Sequence, residues 1–189
     1  SDSNPQMYAP NMAVVLDAVA NLMGSAYGDV LTGSGDSNAI YGMQGDDEIS
    51  GGYGNDCLFG GMGDDTIHAD DDSSPYSDTV FGGAGADCLF GDADYDWVSY
   101  AQATGAVTVD LSSGVASGAD DADQLTGFTQ VEGSAYADVL TGSSSSSVIT
   151  GGLGNDTITG GSSDDTIHGG QGTDSIDAGG GNDVVYITG

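Results

Sequence analysis

A nine-residue unit, Gly-Gly-x-Gly-x-Asp-x-U-x with U a large aliphatic, recurs along this chain and constrains its fold more than any other feature. Clear copies are Gly51–Phe59 (GGYGNDCLF), Gly60–His68 (GGMGDDTIH), Gly82–Phe90 (GGAGADCLF) and Gly151–Thr159 (GGLGNDTIT). Each unit divides into a turn and a short strand. The glycines let the turn adopt positive φ and let backbones approach closely. In the x-U-x strand only U points inward, because side chains alternate across a strand. Two units therefore close one coil, with two short sheets facing each other over an aliphatic column. The pattern predicts an all-β parallel β-roll, or β-helix solenoid.

In this register the first block has units starting at Gly24, Gly33, Gly42, Gly51 and Gly60, then an insertion (Ala69–Asp72), then units at Ser73, Gly82 and Gly91. Its U residues are Leu31, Ile40, Ile49, Leu58, Ile67, Val80, Leu89 and Val98. The second block begins at Gly133 and places Leu140, Ile149, Ile158, Ile167, Ile176 and Val185 at U. GSAYGDVLTG (24–33) and GSAYADVLTG (133–142) nearly match, which suggests an internal duplication. The predicted organisation is 1–23 as tail and helix, 24–100 as first block, 101–132 as β spacer and 133–189 as second block. Within the spacer, Val107–Leu111 alternates like a strand, Asp120–Asp123 reads as an acidic turn, and Leu125–Val131 reads as another strand. Asn11 and Gly24 bracket an apolar stretch as N-cap and C-terminal glycine. Val15, Leu16, Val19, Leu22 and Met23 fall on one stripe of that expected short N-terminal helix, which would cap the solenoid or dock a partner.

Charge then narrows the chemistry. There are no Lys or Arg residues and 30 acids, for a formal charge of −30. Only Glu48 and Glu132 are glutamates, which leaves 28 aspartates (30 − 2). Phosphate, nucleic-acid and anionic-membrane partners all require cations that this chain lacks. No stretch is long and apolar enough to span a bilayer, so membrane insertion is not expected. Self-repulsion should expand the metal-free chain, and divalent cations are the obvious counter-charge. Position six of the unit supplies a short hard carboxylate beside loop carbonyls, a donor set suited to calcium. The candidate ligands are Asp29, Asp47, Asp56, Asp65, Asp78, Asp87, Asp96, Asp138, Asp156, Asp165, Asp174 and Asp183, so several Ca2+ ions are expected. Asn38 and Ser147 occupy position six of two units, whose loops should bind weakly or not at all. The position-five acids Asp46, Asp64 and Asp164 are expected to stay solvated.

These repeats resemble the RTX (repeats-in-toxin) family, over about residues 24–186. The stretches SYAQATGAVTVDLSSGVASG (99–118) and GFTQVEGSAYADVLTG (127–142) resemble the spacer between RTX blocks. The resemblance implies a calcium-filled parallel β-roll, secreted or displayed at the cell surface, in a Gram-negative bacterium. It does not imply one activity, since such rolls accompany proteases, lipases, toxins, adhesins and surface layers. Cysteine is usually avoided in the family, which makes Cys57 and Cys88 a departure.

No catalytic constellation stands out. His68 and His168 both end a DDTIH unit and read as repeat decoration. There is no HExxH, no GxSxG and no lysine for a P-loop, so an enzyme is not expected and no small-molecule substrate is predicted. Cys57 and Cys88 follow position-six aspartates and face outward. Counting units puts them on opposite sheets, leaving free thiols, an intermolecular disulfide, or an intramolecular one if the insertion shifts the parity. Tyr41, Tyr53, Phe59, Phe90 and Trp97 are outward aromatics that would form an interface only if gathered into a stripe. The chain starts at Ser1 and ends at Tyr186–Gly189, as expected of a processed form or an excised piece. Two functional readings follow. One is a self-assembling structural subunit of a filament, surface layer or matrix, with a second copy as partner. The other is a calcium-dependent module of a larger secreted enzyme, toxin or adhesin.

Overall fold

The computed structural model describes residues 13–15, 21–69, 76–92, 95–119 and 121–187. The chain climbs by alternating between two sheets, as the repeat demands. Among the described residues one sheet has 11 strands and the other 9. Strands of one coil pair in parallel with those of the next: Val30–Thr32 with Glu48–Ser50, and Ala39–Gln44 with Cys57–Met62. The register puts U on U, Leu31 opposite Ile49 and Ile40 opposite Leu58. All the U residues from Leu31 to Val98 and from Leu140 to Ile167 are buried, most of them completely. They form the core. Removing such aliphatic columns from water is the main apolar stabilisation available to a chain with so much glycine.

The insertion does not disturb the alternation. Leu58 pairs with Val80 and Ile67 with Leu89, so the register resumes after the insertion, of which 70–72 fall outside the described residues. Parity is kept, and Cys57 and Cys88 sit on different sheets as free thiols. Position-nine rings stack up the outside. Tyr41, Phe59 and Phe81 form a run with centroids 4.6 Å apart. His68 lies on Phe90 and His168 on Tyr186, so both histidines serve inter-coil packing.

Three details of the sequence reading need correction. The expected helix between Asn11 and Gly24 is absent where the chain is described: Ala13–Val15 and Asn21–Met23 are strands, and 16–20 lie outside the described residues. The reason is registry. Leu22 falls opposite Ile40 and extends the buried column, which an amphipathic helix would not do. Of the expected Asp120–Asp123 turn, Asp121–Asp123 lie instead in the strand Asp121–Thr126, and 120 lies outside the described residues. Finally, Leu125 and Val131 belong to two strands separated at Gly127, whose φ is +82°.

These spacer strands complete the roll. Val98 pairs with Val131, so the 9-stranded sheet passes straight across. In the other sheet Leu125 pairs with Leu89, and an antiparallel excursion through Val115–Gly118 leads to Val109, which pairs with Leu140.

Candidate metal centre

The turns join the two sheets, and each ends at a position-six side chain. Of the twelve candidate aspartates, Asp174 and Asp183 of the last coil are half-buried, and the other ten are only 1–4% exposed. Burying so many carboxylates without cationic side chains is unfavourable unless each oxygen finds a donor or an ion.

One oxygen finds a backbone donor in nearly all of them. Asp47 Oδ1 accepts the Asp29 backbone N–H at 2.7 Å, Asp65 that of Asp47 at 2.8 Å, and Asp87 that of Asp65 at 2.9 Å. The opposite edge repeats the pattern: Asp56 accepts from Asn38, Asp78 from Asp56, and Asp96 from Asp78. In the second block Asp156 accepts from Asp138, Asp174 from Asp156, Asp165 from Ser147, and Asp183 from Asp165. Position six is thus a hydrogen-bonded ladder along each edge.

The second oxygen turns into its own loop. In Asp47, Asp65, Asp87, Asp156 and Asp165 this Oδ2 is buried without a hydrogen-bond partner. A cradle surrounds it. A Cβ placed on Gly42 would meet Asp47 Oδ2 and the Gly60 carbonyl oxygen, and one on Gly60 would meet Asp65 Oδ2 and the Gly82 carbonyl oxygen. Gly151 relates in the same way to Asp156 and Gly169, and Gly160 to Asp165 and Ala178. Gly51 faces Asp56 Oδ2 and the Ala69 carbonyl oxygen. Only glycine leaves room here, and the two atoms nearest each added Cβ are a carboxylate oxygen and a carbonyl oxygen.

Such a cradle fits a hard cation with oxygen ligands. Among the described residues no three His, Cys, Asp or Glu side chains converge, so backbone carbonyls would supply most ligands and the aspartate the charge. Cys57 and Cys88 open strands directly after Asp56 and Asp87, and the histidines are stacked on aromatic rings. An ion here would neutralise buried carboxylates and tie one coil's turn to the next. Burial is also the main reason their acidity falls: Asp65 is pushed up to about 7, and Asp47 and Asp87 to about 6. Asp156 and Asp165 are raised as well, again chiefly by burial.

Not every predicted ligand presents a bare oxygen. Oδ2 of Asp29, Asp96 and Asp138 accepts the backbone N–H of Ser25, Asp92 and Ser134 at 2.6, 3.0 and 2.6 Å. The position-five acids are exposed, as expected, yet ordered: Asp46 Oδ1 accepts the Asp64 N–H at 3.0 Å, and Asp164 Oδ1 that of Asn182 at 2.7 Å.

One ladder member was missed. Asp123 is buried in the spacer, accepts the Asp87 N–H at 3.1 Å, and takes the Tyr100 hydroxyl on Oδ2 at 2.7 Å. Burial, together with that carboxylate, holds the Tyr100 phenol far above its ordinary range. The signal was available, because Asp123-Gln-Leu-Thr-Gly127 repeats the pattern of Asp29-Val-Leu-Thr-Gly33.

Comparison with known proteins agrees with this geometry. No individual curated protein matches the chain significantly. The family model of the RTX calcium-binding nonapeptide repeat (4 copies) matches residues 21–49, 32–67, 41–74, 72–98, 132–167 and 150–185. These segments merge into 21–98 and 132–185, well over half of the chain and the same turns that hold the buried carboxylate ladder. The chain belongs to the family of RTX calcium-binding nonapeptide-repeat proteins.

Proposed function

We propose that this chain is an extracellular calcium-locked scaffold, in which Ca2+ ions between successive turns hold blocks 24–100 and 133–189 together through the spacer 101–132. Its job is structural, as a self-assembling subunit of a filament, surface layer or matrix whose partner is a second copy. The observation that carries the calcium part is the set of buried Oδ2 atoms facing carbonyl oxygens. The assembly part draws support from the parallel pairing of coil on coil, which a second copy can continue across an uncovered coil face. An open solenoid end is a natural stacking surface.

The same geometry also fits the second reading, a calcium-dependent module of a larger secreted enzyme, toxin or adhesin. Sedimentation and electron microscopy of the calcium-loaded chain separate the two. Concentration-dependent rods support the scaffold, and a strictly monomeric species at high concentration supports the module. Far-UV circular dichroism tests the part common to both. β structure should appear on adding calcium and vanish with chelator, and a spectrum indifferent to calcium refutes it.

A further inference from the structure

Some turns are closed from within by the backbone N–H of position two, as Asp92 does for Asp96, and in four of them that residue is serine. Four turns begin Gly-Ser: those at Gly24, Gly33, Gly133 and Gly142. In each, the serine N–H donates to the position-six side chain: Ser25 to Asp29 at 2.6 Å, Ser34 to Asn38 at 2.6 Å, Ser134 to Asp138 at 2.6 Å and Ser143 to Ser147 at 2.9 Å. Each serine Oγ then accepts a backbone N–H two residues on, from Tyr27, Asp36, Tyr136 or Ser145. Ser134 Oγ also donates to the Asp138 carboxylate at 2.8 Å. The loop interior is thereby filled with the chain's own hydrogen bonds.

The turns with a bare Oδ2 are built differently. Their position-two residues are Met43, Gly61, Gly83 and Gly152, at φ +88°, +121°, +112° and +106°, ahead of Asp47, Asp65, Asp87 and Asp156. Met43 is the only described non-glycine residue at positive φ, so the serines stay outside that region. With position two in the left-handed region, its N–H does not reach the carboxylate, which is left for an ion. Asp165 keeps its bare Oδ2 although Gly161 lies outside that region. The sequence makes an independent point. Only in Gly-Ser turns is the position-six acid dispensable, since Asn38 and Ser147 fill that place and are still buried and bonded.

The Gly-Ser turns come in consecutive pairs, Gly24–Asn38 and Gly133–Ser147, one full coil at the head of each block. We propose that these two head coils are closed by serine in place of calcium, and that the metal is taken by the turns of Asp47, Asp65, Asp87, Asp156 and Asp165. Asp29 and Asp138, although they match the repeat, are then hydrogen-bond acceptors and not ligands. Each head coil presents a preformed edge onto which the next, metal-dependent turns stack. Hydrogen bonding supplies locally what an ion supplies elsewhere.

This partition rests on the calcium reading, and the test separates the two. Equilibrium dialysis of the full chain against calcium gives the number of bound ions for the wild type and for Asp29→Asn, Asp138→Asn and Asp156→Asn. The proposal expects Asp29→Asn and Asp138→Asn to fold in calcium with the wild-type count, and Asp156→Asn to lose at least one ion. If either head-coil variant loses an ion, or fails to fold in calcium, the partition is overturned while the calcium reading stands. If Asp156→Asn keeps the wild-type count, the partition is likewise overturned. A wild type that takes no calcium overturns both.

Discussion

Replacing Asp65 by asparagine should help the chain without calcium and harm it with calcium. Asp65 is 1% exposed, and its Oδ2 has no hydrogen-bond partner. Burial first, then the charges of Asp87, Asp47 and Asp46, push its carboxyl up to about 7, against the one lowering influence of the Asp47 backbone N–H. An amide keeps Oδ1 for that N–H and turns its NH2 toward the Gly82 carbonyl oxygen, which the Gly60 contacts place next to Oδ2. Removing a buried unsatisfied polar atom and gaining a bond is worth about 1–3 kcal/mol. The assay is β signal by circular dichroism in chelator as pH is lowered. The sign follows from linkage. Asp65, Asp47 and Asp87 have folded-state pKa values of about 7, 6 and 6, raised above 3.8. Their contribution to the metal-free fold is therefore full below about pH 4 and lost as pH rises through 6–7. Three carboxylates titrating together give a slope of about 4 kcal/mol per pH unit. In the variant only Asp47 and Asp87 still titrate, with a slope of about 3 kcal/mol per pH unit, so the substitution should move the acid-induced folding midpoint up by roughly half to one pH unit. General relief of the −30 charge would also favour folding in acid, but gives the Asp65→Asn variant little special advantage. A midpoint that stays put or falls refutes the reasoning, as does full calcium-induced stability in the variant.

Other consequences are simpler to measure. In chelator the wild type should gain β structure between pH 7 and 5, and a metal-free chain more folded at pH 8 than at pH 5 contradicts the carboxylate account. Ile67→Ala, at a fully buried position of the column, should cost about 2–5 kcal/mol in calcium-loaded thermal or urea unfolding. A loss below about 1 kcal/mol would mean the column is not the core. Gly61→Ala should destabilise by about 1–3 kcal/mol, because φ is +121° and the new Cβ meets the Met43 carbonyl oxygen. Gly35→Ala, with nothing within 4 Å, should be nearly neutral, and equal effects would contradict the turn geometry. Oxidation should never join Cys57 to Cys88 within one chain, and a monomeric disulfide found by mass spectrometry would show that they share a sheet.

The column was legible because U recurs every nine residues, and a period-two strand can bury only that position. Leu31 to Val98 and Leu140 to Ile167 are where the repeat places them. The N-terminal strands were hidden because Val15, Leu16, Val19 and Leu22 also fit a helical stripe, and only pairing with Ile40's strand decides between the two. Asp123 was hidden by the broken period, although its DQLTG segment carried the pattern. The unequal ligand set was harder to see. Asp138 and Asp156 occupy the same repeat position, and they differ through the backbone φ at Ser134 and Gly152 and the N–H each one directs. Position two, not position six, carried that information.

The most direct test is the structure of the calcium-loaded chain with ions located by anomalous scattering. The account predicts ions beside Oδ2 of Asp47, Asp65, Asp87, Asp156 and Asp165, and none in the turns of Ser25 and Ser134. Turns of Asp47 and Asp65 left without an ion in saturating calcium, or ions seated at Asp29 and Asp138, would contradict it.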